Sequence, residues 1–224
     1  MISLAIFDMA HTTIDDRDEV YRVLRDVTER QGARYTDAQF REWMGTEKKW
    51  AIRNLLEIGG VAVTEELVDA TWELFREELR RAYTDNPPVA LPGVEEMFAQ
   101  LRSSGVRIGL TTGFSREIVD LILGAMEWRV GETVDASAAG DEVEEGRPAP
   151  LLIGKVMDDL GVRDTGTVIS LGDTAADVRS AQRAGVRSVG VLTGHLDRTD
   201  FAGLGADHVL DSAADLPQLL EELQ

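Results

Sequence analysis

The chain has 224 residues and a formal net charge of −18, with 41 acidic side chains against 23 basic ones. Such a surface excludes nucleic acid as a natural partner, because phosphate-backbone binding needs a basic footprint. Hydrophobic residues make up 43% and charged residues 29%, and no apolar run reaches the length of a membrane span, so a soluble globular chain with no membrane partner is expected. The absence of cysteine excludes disulfides and thiol catalysis and fits a cytoplasmic location, and the N-terminus carries no basic leader of the secretory kind.

Ser3 to Phe7 is an uninterrupted apolar run of strand length, which reads as a strand buried on both faces, as in parallel sheets. Asp8 ends it. From about Val20 to Tyr83 the periodicity is helical. Val20, Leu24 and Val27 mark a first helix, and Thr36 with Gln39 forms a capping-box signature for a short second one through Trp43. Thr46 is expected to cap a third, carrying Ile52, Leu55 and Leu56. Thr64 followed by Glu65 and Glu66 starts a fourth, carrying Leu67, Leu74 and Leu79. Residues 15–87 therefore form a helical insertion, read as a cap domain, between the two parts of an α/β core, 1–14 and 88–224.

After Asn86-Pro87-Pro88, helices and apolar strands alternate. Strands are expected at Val106–Leu110, Thr133–Ala136, Val168–Leu171, Ser188–Leu192 and His208–Leu210. Helices are expected near Val94–Arg102, Glu117–Leu123, from Pro148 through Leu160, and up to Ala184, with Gly185 as a stop. Strand–helix alternation predicts right-handed crossovers and a doubly wound parallel sheet.

In such a sheet ligands bind outside the carboxyl ends of the strands. Asp8, Thr111-Thr112-Gly113, Arg147 and Asp173 with Asp177 all fall at strand ends or in the loops after them, and so on one rim. Asp8 and Asp173 are hard oxygen ligands suited to Mg²⁺, with Asp177 as a further ligand or as a residue holding one in place. Arg147 offers a planar fork for phosphoryl oxygens, and the Thr-Thr-Gly strand end offers hydroxyl and backbone N–H donors for the same anion.

In order and spacing, Asp8-x-Ala10-x-Thr12, Thr112-Gly113, Arg147-Pro148-x-Pro150 and Gly172-Asp173-x-x-x-Asp177 resemble the four motifs of the haloacid dehalogenase (HAD) superfamily, and the helical insertion resembles its type 1 cap. Ala10, where most of its phosphatases carry a second Asp, and Arg147, where most carry Lys, are together similar to the phosphonatase (phosphonoacetaldehyde hydrolase) branch. Met44-Gly45-x-x-Lys48, with Arg53 beyond, looks like the segment of that branch bearing a Schiff-base lysine.

The resemblance implies that Lys48 forms an imine with an aldehyde substrate and that Asp8 attacks phosphorus. It implies Mg²⁺ held by Asp8, the Ala10 carbonyl and Asp173, and phosphoryl oxygens bound by Thr112 and Arg147, with Arg53 nearby. The substrate expected is a small anionic phosphonate or phosphate. Two departures accompany the match: Ala51 replaces a His of that segment, and His11 replaces a Gly. His11 thereby becomes a candidate acid–base group, and a phosphate-ester phosphatase using His11 or water is the first rival reading. A non-catalytic anion-binding domain is the second. His195 and His208, outside the motifs, are read as structural. Trp43, Trp50 and Trp72 concentrate in the insertion, which leaves a cap-to-cap homodimer and an aromatic cap core as equal accounts of them.

Overall fold

The structure, a computed structural model, describes residues 1–223. Six parallel strands form one sheet in the order β5-β4-β1-β6-β7-β8, where β1 is Leu4–Asp8, β4 Arg107–Thr111, β5 Ala136–Ala138, β6 Val168–Gly172, β7 Arg187–Val191 and β8 His208–Leu210. The chain builds outward from β1 in one direction, then returns and builds in the other. The strand order therefore reverses at β1, the switch point where doubly wound sheets open a crevice at their carboxyl edge.

The burial of β1 is two-sided, as its unbroken apolar sequence requires. Leu4 and Ile6 pack into one apolar cluster, while Ala5 and Phe7 pack into the other, where Phe7 meets Phe98 edge to face at 5.5 Å. Asp8 follows as the last residue of the strand, opposite Thr111 of β4.

Short strands β2 (Ile14–Asp15) and β3 (Val89–Ala90) pair antiparallel where the chain leaves the core and where it returns. Between them lie α1 (Glu19–Arg30), α2 (Asp37–Arg41), α3 (Lys48–Ile58) and α4 (Glu65–Asp85). The 21-residue α4 spans roughly 30 Å at the helical rise. Its buried stripe is Val68, Thr71, Phe75, Leu79 and Tyr83, so Leu67 and Leu74 sit at the flank of the expected face rather than on it. Val20, Leu24, Ile52, Leu55 and Phe75 belong to the same apolar cluster as Phe7 and Leu110, so one continuous apolar cluster joins the insert to the core. Among the described residues no helix is long and apolar enough to cross a membrane.

Several boundaries depart from the sequence expectation, among them the end of α2 at Arg41 rather than Trp43. The third helix begins at Lys48 with Glu47 as its N-cap: the Glu47 carboxylate accepts from the backbone N–H of Lys49 (2.8 Å) and Trp50 (2.7 Å). Thr46 instead donates its hydroxyl to the Trp43 carbonyl at 2.7 Å. A carboxylate satisfies two of the orphan donors at this end where a hydroxyl reaches one, which explains the shift. The weak strand lies at Ala136–Ala138, starting three residues later than expected, because Thr133 and Val134 fold back on Arg129 in a turn. The core is completed by α5 (Val94–Ser103), α6 (Arg116–Ala125), α7 (Leu151–Asp159), α8 (Ala175–Ala184), α9 (Arg198–Leu204) and α10 (Leu216–Glu222). The last two had no assignment from periodicity.

Candidate active site

Asp8, Thr111, Thr112, Arg147, Asp173 and Asp177 come together on the carboxyl rim of the sheet, and all are buried. The Asp8, Asp173 and Asp177 carboxylates each place an oxygen within 4.8 Å of the others. Arg147 is 2% exposed; its Nη2 donates to Asp8 Oδ1 at 2.6 Å and its Nη1 lies against Asp177 Oδ1, while Nε is buried without a hydrogen-bond partner. A buried guanidinium N–H left unsatisfied is costly, and a phosphoryl oxygen is the kind of acceptor that would relieve it.

Asp177 is held from two sides. It is the third residue of α8 and closes a capping box, its Oδ2 accepting from the Thr174 N–H at 3.1 Å, while its other oxygen faces Arg147. Asp173 accepts a hydrogen bond from the Thr12 hydroxyl at 3.4 Å. Burial, and next the negative charge of Asp8, push the Asp173 carboxyl up to about 7. A buried carboxyl whose ionisation is opposed by a neighbouring carboxylate fits a site built around a divalent cation, and hard oxygen donors suit Mg²⁺.

Thr112 is anchored by its N–H to the Ala138 carbonyl (3.2 Å), and its hydroxyl oxygen accepts from the Phe114 N–H (3.2 Å), which leaves the hydroxyl proton free to point at a ligand. Gly113 is where the insert docks. A Cβ at this position would stand 2.4 Å from the Thr46 carbonyl oxygen and 3.1 Å from Lys48 Nζ. Only a residue without a side chain lets the segment before α3 lie directly on the rim.

That contact buries Lys48 to 3% exposure. Its ammonium donates to the Thr46 carbonyl at 2.8 Å and lies 6.0 Å from the Tyr21 ring and 5.8 Å from the Phe114 ring. Burial, followed by the nearby positive charge of Arg147, lowers its pKa from the usual 10.5 to about 8. Helix position adds to this, since a cation at the first residue of a helix opposes the dipole. The sequence named Lys48 but did not place Tyr21 or Phe114 beside it.

Two expected site residues stand elsewhere. Arg53, one turn and a half further along α3, is partly exposed and pairs with Glu65 at 2.5 Å on the outside of the insert, so it does not line the rim. His11 has φ +58°, the left-handed region that favours glycine, and is buried. Its Nε2 lies 3.3 Å from Asp16 Oδ1 and 3.2 Å from Asp18 Oδ1, and its ring stacks on Tyr21. Ala10 is buried beside it in the turn after β1 and carries no ionisable group. Asp16 escaped notice in the sequence. It is fully buried, and its Oδ2 accepts from Tyr83 Oη at 2.7 Å and Val20 N–H at 3.0 Å, fixing the start of the insert to its end. Trp43 and Trp50 meet edge to face at 4.9 Å, and Trp72 stacks on Phe75. Trp50 and Trp72 line a cavity of about 470 Å³ that reaches Gly146 and Arg147.

A doubly wound sheet, four rim segments carrying paired carboxylates and an arginine, and a helical insert docked over them define a hydrolase of the HAD type. The haloacid dehalogenase-like hydrolase family model matches residues 5–191, and the chain belongs to that family. Among similar proteins, the phosphonoacetaldehyde hydrolase of Bacillus cereus (strain AH187) is 34% identical over 206 residues, covering 86% of this chain and 76% of its own. That of Parabacteroides distasonis is 30% identical, covering 99% of this chain and 97% of its own. Among solved structures, a phosphonoacetaldehyde hydrolase-like protein from Oleispira antarctica superposes with a TM-score of 0.84 at 28% identity, over 99% of this chain and 92% of that one. The likeness therefore lies with the phosphonatase-like branch.

Proposed function

We propose that this hydrolase cleaves the carbon–phosphorus bond of a small phosphonate bearing an aldehyde, with phosphonoacetaldehyde the leading substrate. The observation that carries the reading is Lys48. A buried lysine with a pKa near 8, delivered to the carboxylate rim by the insert, is poised to supply a free amine there. Relatives named phosphonoacetaldehyde hydrolase support the same substrate.

In this reading the Lys48 amine adds to the substrate carbonyl and, with loss of water, forms an imine. The protonated imine accepts the electron pair of the C–P bond as Asp8 attacks phosphorus, giving an enamine and an aspartyl phosphate. Water hydrolyses the aspartyl phosphate, and the enamine, protonated at carbon to an imine, is hydrolysed to release the aldehyde and the Lys48 amine. Asp8, the Ala10 carbonyl and Asp173 would hold Mg²⁺, which when bound offsets the charge gathered around phosphorus. Arg147 and Thr112 bind the phosphoryl oxygens, and Asp177 positions Arg147. The insert, residues 15–87, serves as the cap that carries the amine in and keeps bulk water out.

Ala10 agrees with this chemistry. An alkoxide leaving group needs a general acid, commonly worth about 10²–10⁴ in rate, whereas an enamine departs without one. An ester phosphatase relying on His11 draws less support, because the Nε2 edge of that ring is turned to Asp16 and Asp18.

The reading is tested by borohydride reduction in the presence of phosphonoacetaldehyde followed by peptide mass mapping. A reduced adduct on Lys48 is expected. Phosphate release with no adduct, undiminished in Lys48→Met, would return the chain to the ester phosphatases.

A further inference from the structure

A second cluster of metal-binding side chains stands beside the first and takes no part in the chemistry above. His11 in the turn after β1, Asp18 at the start of α1 and His195 in the loop after β7 each place one ligand atom within 4.8 Å of the other two. His195 Nε2 is 2.9 Å and His11 Nε2 is 3.2 Å from the same oxygen, Asp18 Oδ1. For a tetrahedral ion with bonds of about 2.0–2.1 Å, neighbouring ligand atoms stand about 3.3 Å apart. These separations are already close to that edge.

Hydrogen bonding satisfies the cluster only in part: His195 Nε2 and Asp18 Oδ1 are hydrogen-bonded at 2.9 Å, and the rest is not. The His11 side chain is nine-tenths buried and its Nε2 has no hydrogen-bond partner. Asp16 Oδ1, fully buried and 3.3 Å away, has none either. Buried polar atoms are rarely left without a hydrogen bond; these two face each other as an ion pair that lacks hydrogen-bond geometry, in a small space that also holds a second imidazole and a second carboxylate. Asp18 and His195 also line a cavity of about 490 Å³, which gives an ion a way in from solvent. Three arginines border it; Arg22 is neutralised by Glu19 and Asp26, and Arg25 by Asp37.

We propose that His11, Asp18 and His195 bind a divalent transition-metal ion of the zinc class, distinct from the cation of the Asp8 and Asp173 carboxylates, and that this ion clamps the insert to the core. Imidazole nitrogens favour such ions over Mg²⁺, so the two sites would sort two metals by ligand type. The location supports a clamp. Asp18 begins the first helix of the insert, His195 belongs to the core, and His11 lies in the connection between them. The His195 loop also bears on the catalytic rim: Thr193 donates its hydroxyl to the His11 carbonyl, and a Cβ on Gly194 would stand 2.1 Å from Asp173 Oδ2. An ion here therefore restrains both the hinge of the insert and a loop touching Asp173.

The test is calorimetric titration of the whole protein with ZnCl₂ in saturating Mg²⁺, paired with hydrogen exchange at residues 14–22. One zinc per chain is expected, with affinity reduced at least tenfold in both His195→Ala and Asp18→Asn. The second variant keeps a residue that tolerates the left-handed backbone at this position (φ +60°). Zinc should slow exchange at the hinge in the wild type and leave the variants unchanged. Failure of the wild type to bind zinc, or equal binding by both variants, would overturn the site. Binding that depends on His195 but leaves hinge exchange unaltered would overturn the clamp. None of these outcomes depends on which substrate the enzyme cleaves.

Discussion

Lys48 and Lys49 are adjacent in sequence and stand in opposite surroundings. Lys48 lies under the insert against the rim, with its pKa drawn down to about 8. The Lys49 side chain is 43% exposed and pairs with Asp69 at 2.6 Å on the outer face. Arg53 belongs to that outer face too, paired with Glu65. Helix α3 thus has a docked edge and a solvated edge, and the same residue type is a chemical group on one and a surface charge on the other. Helical periodicity already sets Lys48 on the apolar stripe of Ile52 and Leu55 and Lys49 off it; what that stripe meets is decided by the approach of the segment before α3 to Gly113, a tertiary contact.

The largest effects should come from the docked side. Asp8→Asn is expected to lower turnover on the order of 10⁴–10⁶-fold, the scale of losing a nucleophile, in a phosphate-release assay. Lys48→Met should abolish cleavage of the aldehyde phosphonate to a similar extent while making the protein more stable at pH 7, because a buried ammonium is replaced by an apolar chain of similar shape. The sign follows from linkage. With a folded pKa near 8 and an ordinary value of 10.5, the unfolded wild type holds more protons between those two pH values, so wild-type stability rises with pH across that window. The advantage of Lys48→Met is therefore complete below about pH 8 and gone near pH 10.5; denaturant midpoints at pH 7 and pH 10 read it. For the same reason the rate of imine formation in the wild type should climb with pH and level off above about 8. A flat profile across pH 6–9 would remove Lys48 as the titrating amine.

Gly113→Ala probes the docking itself. The added methyl meets a backbone oxygen, Thr46 O, at 2.4 Å, so the insert must retreat. A retreat of about an ångström is expected to cost roughly 10²-fold in turnover. Melting temperature should change far less than turnover, since the apolar cluster beneath the insert is untouched.

How much of this was legible beforehand divides along the same line. The rim could be read because parallel strands deliver their carboxyl ends to one edge, so Asp8, Thr112, Arg147 and Asp173 needed only correct strand assignments to fall together. That Lys48 faces an apolar stripe was readable from its spacing with Ile52 and Leu55, whereas a role at the rim was implied only by resemblance, which named Arg53 with it. At 3.6 residues per turn, positions 48 and 53 differ by about 140° around the helix. No single face holds both. The hinge cluster was illegible for a different reason: His11, Asp18 and His195 are brought together by left-handed backbone at His11 and Asp18 and by a loop more than 170 residues away. Isolated histidines in a sequence carry no mark of such a meeting.

Arg53→Ala should have the smallest effect, and it sharpens the comparison most cheaply. An exposed arginine–glutamate pair contributes little, and salt screens it further. Removing it should leave both kcat and KM within about twofold of the wild type and the denaturant midpoint close to the wild-type value. Arg53 then behaves as Lys49→Ala would, and unlike Lys48→Met, although it was named alongside Lys48 as part of one segment. A rise in KM of tenfold or more in Arg53→Ala, with kcat unchanged, would mean that the anion reaches the outer face of α3 on its way in. The division of this helix into a docked and a solvated edge would then be drawn in the wrong place.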